Sequence, residues 1–405
     1  MHDETSLIEL IAIGLAFSFI GGYIAVRLKL SPIIGYLAAG IVMGPYTPGF
    51  VEDTQLAGQI EEIGIILLMF GVGMHFSVED LWAMRAIAVP GAVIQILTAT
   101  TLGVAVTHFW GWSLNAGLVF GLALSVASTV VMLRTLESYG AVNTADGKIA
   151  IGWTVVEDVV MVLTLVLLPA CFGQTDSETL EHGHSGPVWL SLGWALAKVA
   201  VFVALMLIFG TRVFPWMLQL VERTGSRELF TLAVVALALG VAFGSAKLFG
   251  NSYALGAFFA GVVIHQSDSH QRATTTLLPL QDAFGTLFFV AIGMLFDPKI
   301  LLREPLKVLV VLGIIIIGKS LAAFGIVRLL RRPQSTAFMV SAALAQIGEF
   351  SFILAAFGVT FGLISTEARN LIIAGALLSI ILNPLVFYLI SRTGALNLPA
   401  KVAAR

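Results

Sequence analysis

Charge and cysteine are both scarce in this chain. Only 11% of its 405 residues are charged, against roughly 25% in soluble domains. Cys171 is the single cysteine, which excludes a disulfide framework and a thiolate metal site. Basic tracts interleaved with aromatic residues are absent too, so we expect no nucleic-acid partner. With 58% hydrophobic residues, the composition indicates an all-α polytopic membrane protein that lies in a lipid bilayer.

Motifs for cofactor chemistry are also missing. The sequence contains no G-x-G-x-x-G fingerprint, no phosphate-binding loop and no C-x-x-C pair. One loop, 172–187, is rich in acidic and histidine side chains, but we interpret it as solvated and not as a metal site. The chain ends soon after its last apolar run. We therefore expect no cofactor, no resident metal and one membrane transport domain over residues 1–405, without a soluble regulatory domain.

Apolar runs separated by clusters of charge, glycine and proline predict about thirteen transmembrane helices. Most of the 22 Lys and Arg residues fall on the inner side if the N-terminus lies outside, so we expect N-out and C-in. The first run follows acidic residues, which indicates a retained helix and not a signal peptide. The predicted spans are 7–26, 32–46, 60–75, 87–108, 113–134, 148–171, 188–211, 228–247, 252–265, 277–296, 306–328, 335–359 and 369–390.

Two short motifs occur twice at nearly equal spacing. Ala39–Val42 recurs as Ala260–Val263, an offset of 221 residues, and Gly73-Met74 recurs as Gly293-Met294, an offset of 220. Seven predicted spans separate the copies, and because seven is odd the copies cross the membrane in opposite directions. Inverted repeats are typical of transporters, whose sites lie at the repeat interface near the midplane. Chance similarity among Gly/Ala-rich segments is the alternative.

The same offset relates two polar stretches in the middle of apolar spans. Adding 221 to Ser125–Ser128 in the fifth span leads to Gln346–Glu349 in the twelfth. Transporters build sites from helices interrupted at paired positions, because half-helix ends offer dipoles and free backbone groups to ions. We therefore predict that both spans are broken and cross near the midplane. The alternative is that these side chains bond back to their own helices or bridge neighbouring ones.

Glu157 and Asp158 lie side by side in the otherwise apolar sixth span. About 10 residues at roughly 1.5 Å each separate them from Lys148, which puts them near the bilayer midplane. Each such charge costs about 2.5–3.5 kcal/mol on insertion scales, so an idle pair is not expected. Adjacent helical residues point about 100° apart and face different partners. Lys319, mid-way in the eleventh span, is the expected neighbour of one carboxylate; a buried salt bridge without a transport role is the alternative.

A buried carboxylate among hydroxyl and backbone oxygens suits Na⁺ or K⁺. Burial favours its protonated form and a bound cation favours its charged form, so proton and cation compete for one negative charge. That competition is the minimum chemistry of an antiporter. An intramembrane aspartyl protease would need two aspartates facing each other from different helices, which the adjacent acids do not offer. A gated cation channel or regulatory membrane protein on a transporter scaffold stays an alternative, and we expect a secondary transporter and not an enzyme.

Taken together, these residues resemble the monovalent cation:proton antiporter 2 family, and in particular its Kef-type and YbaL-type potassium:proton antiporters. The resemblance covers essentially the whole chain. It rests on Ser31–Gly40, Ala254–Gly261, Glu157-Asp158, Lys319 and Ala345–Phe350.

The resemblance implies an inverted-repeat sodium/proton-antiporter-like fold that works as a homodimer in the bacterial inner membrane by an elevator or rocking motion. Its core ion-transport bundle would be 87–171 and 306–390. The scaffold and dimerisation helices would be 7–75 and 228–296, with 188–211 as a linker helix. Many relatives carry a C-terminal nucleotide-binding regulatory domain that is missing here, so we expect a shortened form or a naturally short member.

For the site, the resemblance implies that Asp158 carries the ion, with Ser125, Ser128 and Thr129 at the first helix break. Glu157 belongs to the same ion- and proton-binding set, and the counter-ion and helix-break support is Lys319, Gln346 and Glu349. Kef-type members have Gln where this chain has Glu157, and electrogenic sodium relatives have Asp there. K⁺/H⁺ exchange is the expected activity, with Na⁺/H⁺ exchange as the alternative, and the number of protons moved per cation stays open.

Overall fold

All regular secondary structure in the described part of the chain is helical. The computed structural model describes residues 7–28, 30–47, 54–75, 78–172, 188–249 and 253–396, so the acidic loop lies outside the described residues from 173 onward. Two π-helical turns, Met206–Gly210 and Ile314–Gly318, join α8 to α9 and α14 to α15. The helices are α1 Leu7–Arg27, α2 Pro32–Met43, α3 Thr54–His75, α4 Val78–Phe109, α5 Leu114–Ser125, α6 Thr129–Ser138, α7 Ala145–Phe172, α8 Val188–Leu205, α9 Thr211–Glu222, α10 Arg227–Phe249, α11 Tyr253–His265, α12 His270–Met294, α13 Ile300–Arg303, α14 Pro305–Gly313, α15 Lys319–Leu329, α16 Gln334–Ala343, α17 Glu349–Thr360 and α18 Thr366–Arg392.

The lengths of these helices suit a bilayer. Within the described residues, nine helical stretches are long and apolar enough to cross a membrane, and α2, α11 and α17 are shorter apolar helices. A span needs about 20 residues at 1.5 Å each to cross the hydrocarbon core. The predicted all-helical, multi-pass membrane class is therefore confirmed, whereas the count of thirteen spans stays a prediction.

Several helices begin where the sequence provides a cap. The hydroxyl of Ser113 accepts a hydrogen bond from Ala116 N at 3.2 Å at the start of α5, and Ser365 does the same for Ala368 N at 3.2 Å at the start of α18. Pro32 begins α2, a position where the missing N–H costs nothing. Such caps satisfy backbone donors that a helix end leaves free.

The glycines of the two repeated motifs lie where helices cross at backbone contact. A Cβ added to Gly40 of α2 would lie 2.9 Å from Gly293 Cα of α12, and one added to Gly261 of α11 would lie 2.8 Å from Met74 N and 3.0 Å from Gly73 C of α3. Gly40 matches Gly261 in one motif, and Gly73 matches Gly293 in the other. Each crossing thus combines one glycine from each motif. An inverted duplication produces this arrangement, so the crossings support the duplication.

Helices pack in two groups around these crossings. In one group, α3 packs on α11 and α12, and α2 packs on α1 and α12. In the other, α4 packs on α5, α7 and α15, while α16 packs on α7 and α17 packs on α5. The second group contains Trp153 of α7, whose ring is fully buried against Gly91 of α4. Glu157, Asp158 and Lys319 lie on helices of this second group.

Polar bonds join the end of α12 in the first group to the start of α18, which packs on α16 and α17 of the second group. Arg369 donates to Leu295 O at 2.8 Å, and Asp297 N donates to Asn370 Oδ1 at 3.3 Å. Arg369 also attracts the buried carboxylate of Glu61 on α3. The first turn of α18 is therefore bound to the end of α12 by hydrogen bonds and attracted to α3 by the carboxylate of Glu61.

Candidate functional site

Two pairs of helices are separated by short non-helical segments, which we call the extended segments because the residue before the second helix of each pair has extended backbone. Helix α5 ends at Ser125 and α6 begins at Thr129, with Val126 at φ −91°, ψ 128° and Ser128 at φ −73°, ψ 117°. Helix α16 ends at Ala343 and α17 begins at Glu349, with Gly348 at φ −142°, ψ −150°. Both segments are buried, so their backbone groups need partners from other parts of the chain.

The two segments contact each other at Ser128. Gln346 Oε1 accepts from Ser128 N at 2.9 Å, and Gln346 Nε2 donates to Ser128 O at 2.9 Å. A Cβ added to Gly348 would overlap Ser128 Cβ and lie 2.6 Å from Ser128 Cα. Only glycine fits at that position without a shift of the neighbouring backbone. The contact brings together positions 218 residues apart in the chain.

At this contact, the positive N-termini and the negative C-termini of the four helices lie next to side chains of opposite polarity. Carboxylates lie at the positive N-termini: Asp158 accepts from the Thr129 hydroxyl at the start of α6, and Glu349 is the first residue of α17. Donors lie at the C-terminal carbonyls, where Gln95 donates to Ser125 O at 2.8 Å and Asn383 donates to Ala342 O at 2.9 Å. Each of these four helix ends thus has a neighbouring group of the polarity that its dipole favours.

Glu157 and Asp158 are directed to different partners, as adjacent helical residues must be. Asp158 Oδ2 accepts from Thr129 Oγ1 at 2.9 Å, whereas Glu157 Oε2 accepts from Ala127 N at 2.8 Å. Asp158 is 9% exposed and Glu157 is fully buried. Asp158 Oδ1 and Glu157 Oε1 find no hydrogen-bond donor among the described residues. Each carboxylate thus uses one oxygen for a hydrogen bond and leaves the other, also buried, without one in the described part of the chain.

Lys319 reaches the site but does not form the expected ion pair. Its Nζ donates to Gln346 O at 3.0 Å, and its side chain is 1% exposed. The ion pairs within the described part of the chain include neither Lys319 nor Glu157. The charge of Lys319 still attracts Glu157 through space. The lysine therefore supports the second extended segment directly and Glu157 only at a distance.

The remaining predicted site residues fall in two places. Ser128 donates its hydroxyl to Glu349 Oε2 at 2.9 Å, so both belong to the network around the contact. Ser125 takes part through its backbone oxygen, because its hydroxyl donates to Leu122 O at 2.7 Å within its own helix. Seven of the eight predicted residues therefore contribute a side chain to one network, and Ser125 lies at its edge.

Sequence reasoning missed three residues that hold the extended segments. Gln95 of α4 donates to Ser125 O and accepts from Trp153 Nε1 at 3.0 Å. Ser379 of α18 accepts from Ile347 N at 3.4 Å, one helical turn from Asn383. The available signal was a single amide or hydroxyl in the middle of an apolar span, since such groups need a buried partner.

The arrangement offers carboxylate and hydroxyl oxygens next to helix N-termini, inside an apolar shell. Such oxygens suit a monovalent cation without its water, and the same carboxylate accepts a proton. Within the described residues, no group of three His, Cys, Asp or Glu side chains has the geometry to hold a metal ion. Exchange of a cation for a proton at one carboxylate is the chemistry that this geometry supports.

Comparison with known proteins places this site in context. The family model for the transmembrane sodium/hydrogen exchanger matches residues 15–391. Over 394 residues the chain is 54% identical to the putative cation/proton antiporter YbaL of Escherichia coli (strain K12), covering 97% of this chain and 70% of that protein. It is 32% identical over 372 residues to K(+) efflux antiporter 4 of Arabidopsis thaliana, covering 91% of this chain and 61% of the plant protein's length.

A solved structure shares the fold. The sodium proton antiporter MjNhaP1 from Methanocaldococcus jannaschii superposes with a TM-score of 0.64 over 97% of this chain and 98% of that one. The sequences are only 16% identical, so this likeness concerns the architecture.

Proposed function

This chain belongs to the transmembrane sodium/hydrogen exchanger family, and from that membership we propose that it is a secondary antiporter exchanging cytosolic K⁺ for protons. The resemblance to the monovalent cation:proton antiporter 2 family is confirmed by the matches to YbaL and to the plant antiporter. One observation carries the proposal: Asp158, buried beside the contact of the two extended segments, has an oxygen without a donor among the described residues.

The exchange follows from competition at Asp158. A proton neutralises the carboxylate directly, and a cation does so from Asp158 Oδ1 with the Thr129 hydroxyl beside it. In both cases the buried charge is removed, and a neutral site crosses the membrane at much lower cost than a charged one. The unloaded, charged site stays where it is. Binding of one substrate therefore requires release of the other.

K⁺ is proposed over Na⁺ on the strength of the relatives. The plant relatives that match this chain are named K(+) efflux antiporters, and the motifs of the chain resemble those of Kef-type members. Na⁺ is the alternative substrate, because carboxylate and hydroxyl oxygens also bind Na⁺. Selectivity is therefore a quantity to be measured on both ions.

For the architecture we propose thirteen spans. The α5–α6 and α16–α17 pairs are then the halves of two broken, crossing spans, and α8–α9 and α14–α15 are single spans with a π-helical turn. Reciprocal bonding of Gln346 with Ser128 supports the crossing. We propose further that α4–α7 and α14–α18 move as an elevator against a dimeric scaffold of α1–α3 and α10–α12, in the bacterial inner membrane with the N-terminus outside.

Reconstitution tests this function. Proteoliposomes with an entrapped pH indicator and an imposed proton gradient are expected to release protons when K⁺ is added, and Asp158→Asn is expected to abolish that release. Asp282→Asn makes the same change at an exposed position of α12 and is the matched control. Exchange at the parent rate in Asp158→Asn would refute the site. Passage of K⁺ without coupled proton movement would indicate a channel instead.

A further inference from the structure

A second carboxylate lies beside the proposed ion-carrying one. Glu349 is 5% exposed, and its Oε2 accepts from Ser128 Oγ at 2.9 Å. The same hydroxyl accepts from Val131 N at 3.2 Å, which caps α6. Ser128 therefore holds Glu349 at the N-terminus of α6 while Glu349 itself begins α17. The carboxylate lies at two positive helix ends at once.

Glu349 and Asp158 come from different helices and bind the hydroxyls of two adjacent residues. Ser128 and Thr129 are adjacent; the hydroxyl of Ser128 binds Glu349 of α17 and that of Thr129 binds Asp158 of α7, each at 2.9 Å. The pairing of carboxylates at this site therefore joins α7 to α17, and not the two acids that are adjacent in sequence.

Glu157 differs from this pair in its surroundings. Its carboxylate is fully buried, is held by Ala127 N, and lies in the field of Lys319. Asp158 and Glu349 keep 9% and 5% exposure. Glu157 is thus compensated within the protein, whereas Asp158 and Glu349 are each bound by the hydroxyl of one of two adjacent residues.

We propose that Asp158 and Glu349 form a carboxylate dyad, joined by the adjacent hydroxyls of Thr129 and Ser128, in which the charge of Glu349 sets how tightly Asp158 holds its proton or its cation. This deepens the proposed antiport function and rests on it. A neighbouring negative charge in a low-dielectric site raises the affinity of Asp158 for a proton when no cation is bound, and it attracts a cation in the same way. Entry of a cation replaces that proton, which leaves to water.

The other charged groups around Glu349 do not replace this role. Helix α7 contributes Glu157 and Asp158, α15 contributes Lys319, and α5 contributes no titratable residue. On α18, Glu367 and Arg369 lie at its first turn and Arg392 at its last, away from the start of α17. The direct charge on Asp158 from α17 is therefore that of Glu349.

Removing this charge has a defined effect. Glu349→Gln weakens the hold of Asp158 on both the proton and the cation, because the neighbouring negative charge attracts both. The pH at which exchange is half-maximal is expected to fall by about one unit. The K⁺ concentration for half-maximal exchange at alkaline pH is expected to rise roughly tenfold.

The experiment compares pH profiles of exchange in proteoliposomes for the parent, Glu349→Gln, Glu349→Asp and Glu61→Gln. Glu349→Asp keeps the charge and is expected to stay closer to the parent profile than Glu349→Gln. Glu61→Gln removes a buried carboxylate on α3, and its profile is expected to match that of the parent. Thermal unfolding and size-exclusion elution check that each variant is folded.

The outcomes separate the two proposals. A parent profile with a reduced maximal rate in Glu349→Gln overturns the dyad and leaves Glu349 as support for the extended segment. Absence of exchange in the parent overturns the antiport function itself.

A second variant is used if Glu349→Gln does not fold. Ser128→Ala removes the hydroxyl donor to Glu349 and is expected to move the pH profile of exchange to higher pH. An unchanged profile in Ser128→Ala also overturns the dyad.

Discussion

The side chain of Gln346 bonds both the N–H and the C=O of Ser128, at 2.9 Å in each direction. An amide side chain thereby takes the place of a neighbouring strand for one residue of the extended segment. Lys319 in turn binds the backbone oxygen of Gln346. The polar interior of the protein is thus a chain of side chains that satisfy backbone groups freed where helices stop.

Replacing Gln346 tests this pairing. Gln346→Ala leaves the N–H of Ser128 buried without a partner, at about 1–3 kcal/mol. The C=O of Ser128 loses one of its two bonds and keeps the one from Met132 N at 3.0 Å. A fall in the thermal unfolding temperature is expected together with a large loss of exchange. Gln334→Ala, at the exposed start of α16, is the control and is expected to unfold at the parent temperature. Parent stability in Gln346→Ala would mean that another group takes over these bonds.

Gly348 sets the distance between the two segments. Gly348→Ala would force its methyl group into Ser128 Cβ, and the segments would have to separate. We expect loss of exchange and a less stable protein. Gly325→Ala is the matched control, since nothing lies within 4 Å of the added Cβ in α15 and alanine favours a helix by about 1 kcal/mol. Equal behaviour of the two variants would contradict the close contact.

The repeated glycines permit a test of the duplication. Gly40 and Gly261 lie at matched motif positions, and in Gly40→Ala and Gly261→Ala the added methyl group would overlap the backbone of the crossing helix. We expect both to lower stability by similar amounts, measured as the midpoint of thermal unfolding in detergent. Gly240→Ala in α10, with open space around it, is expected to have no such effect. A loss confined to one crossing would argue against equivalent halves.

The protonation state of Lys319 decides whether each exchange cycle moves net charge across the membrane. Its ammonium group is bound to Gln346 O and lies in the field of Glu157, so we expect it to keep its proton and exchange to be electrically silent. Currents recorded from proteoliposomes on a solid-supported membrane check this. A transient current on K⁺ addition that depends on a pH gradient would instead show that Lys319 or a second group releases a proton as well.

Much of this site was predictable from the sequence, because a polar residue inside an apolar run is visible without any structure. Ser128, Asp158 and Gln346 were found in that way, and the offset between repeats related the two segments. Gln95 and Asn383 were missed, because the need for their amides arises from carbonyl groups on other helices. Their partners depend on which helices are neighbours, and apolar periodicity does not specify that.

The partner of Lys319 illustrates a second limit. Its depth in the membrane follows from counting residues at 1.5 Å each, and that depth matches the level of Glu157. The direction of the side chain around the helix axis decides between a carboxylate and a carbonyl, and that direction depends on packing. A π-helical turn directly before Lys319, at Ile314–Gly318, changes this angle without a clear signature in the sequence.

At the two glycine crossings, α2 meets α12 and α3 meets α11 through main-chain atoms with no side chain between them. Interfaces of this kind have no rotamers that could adjust to a displacement, so sliding one helix along the other would mean a collision of peptide groups. These four helices consequently act as a stiff frame, and any relative motion during a transport cycle has to take place at the side-chain interfaces elsewhere in the protein.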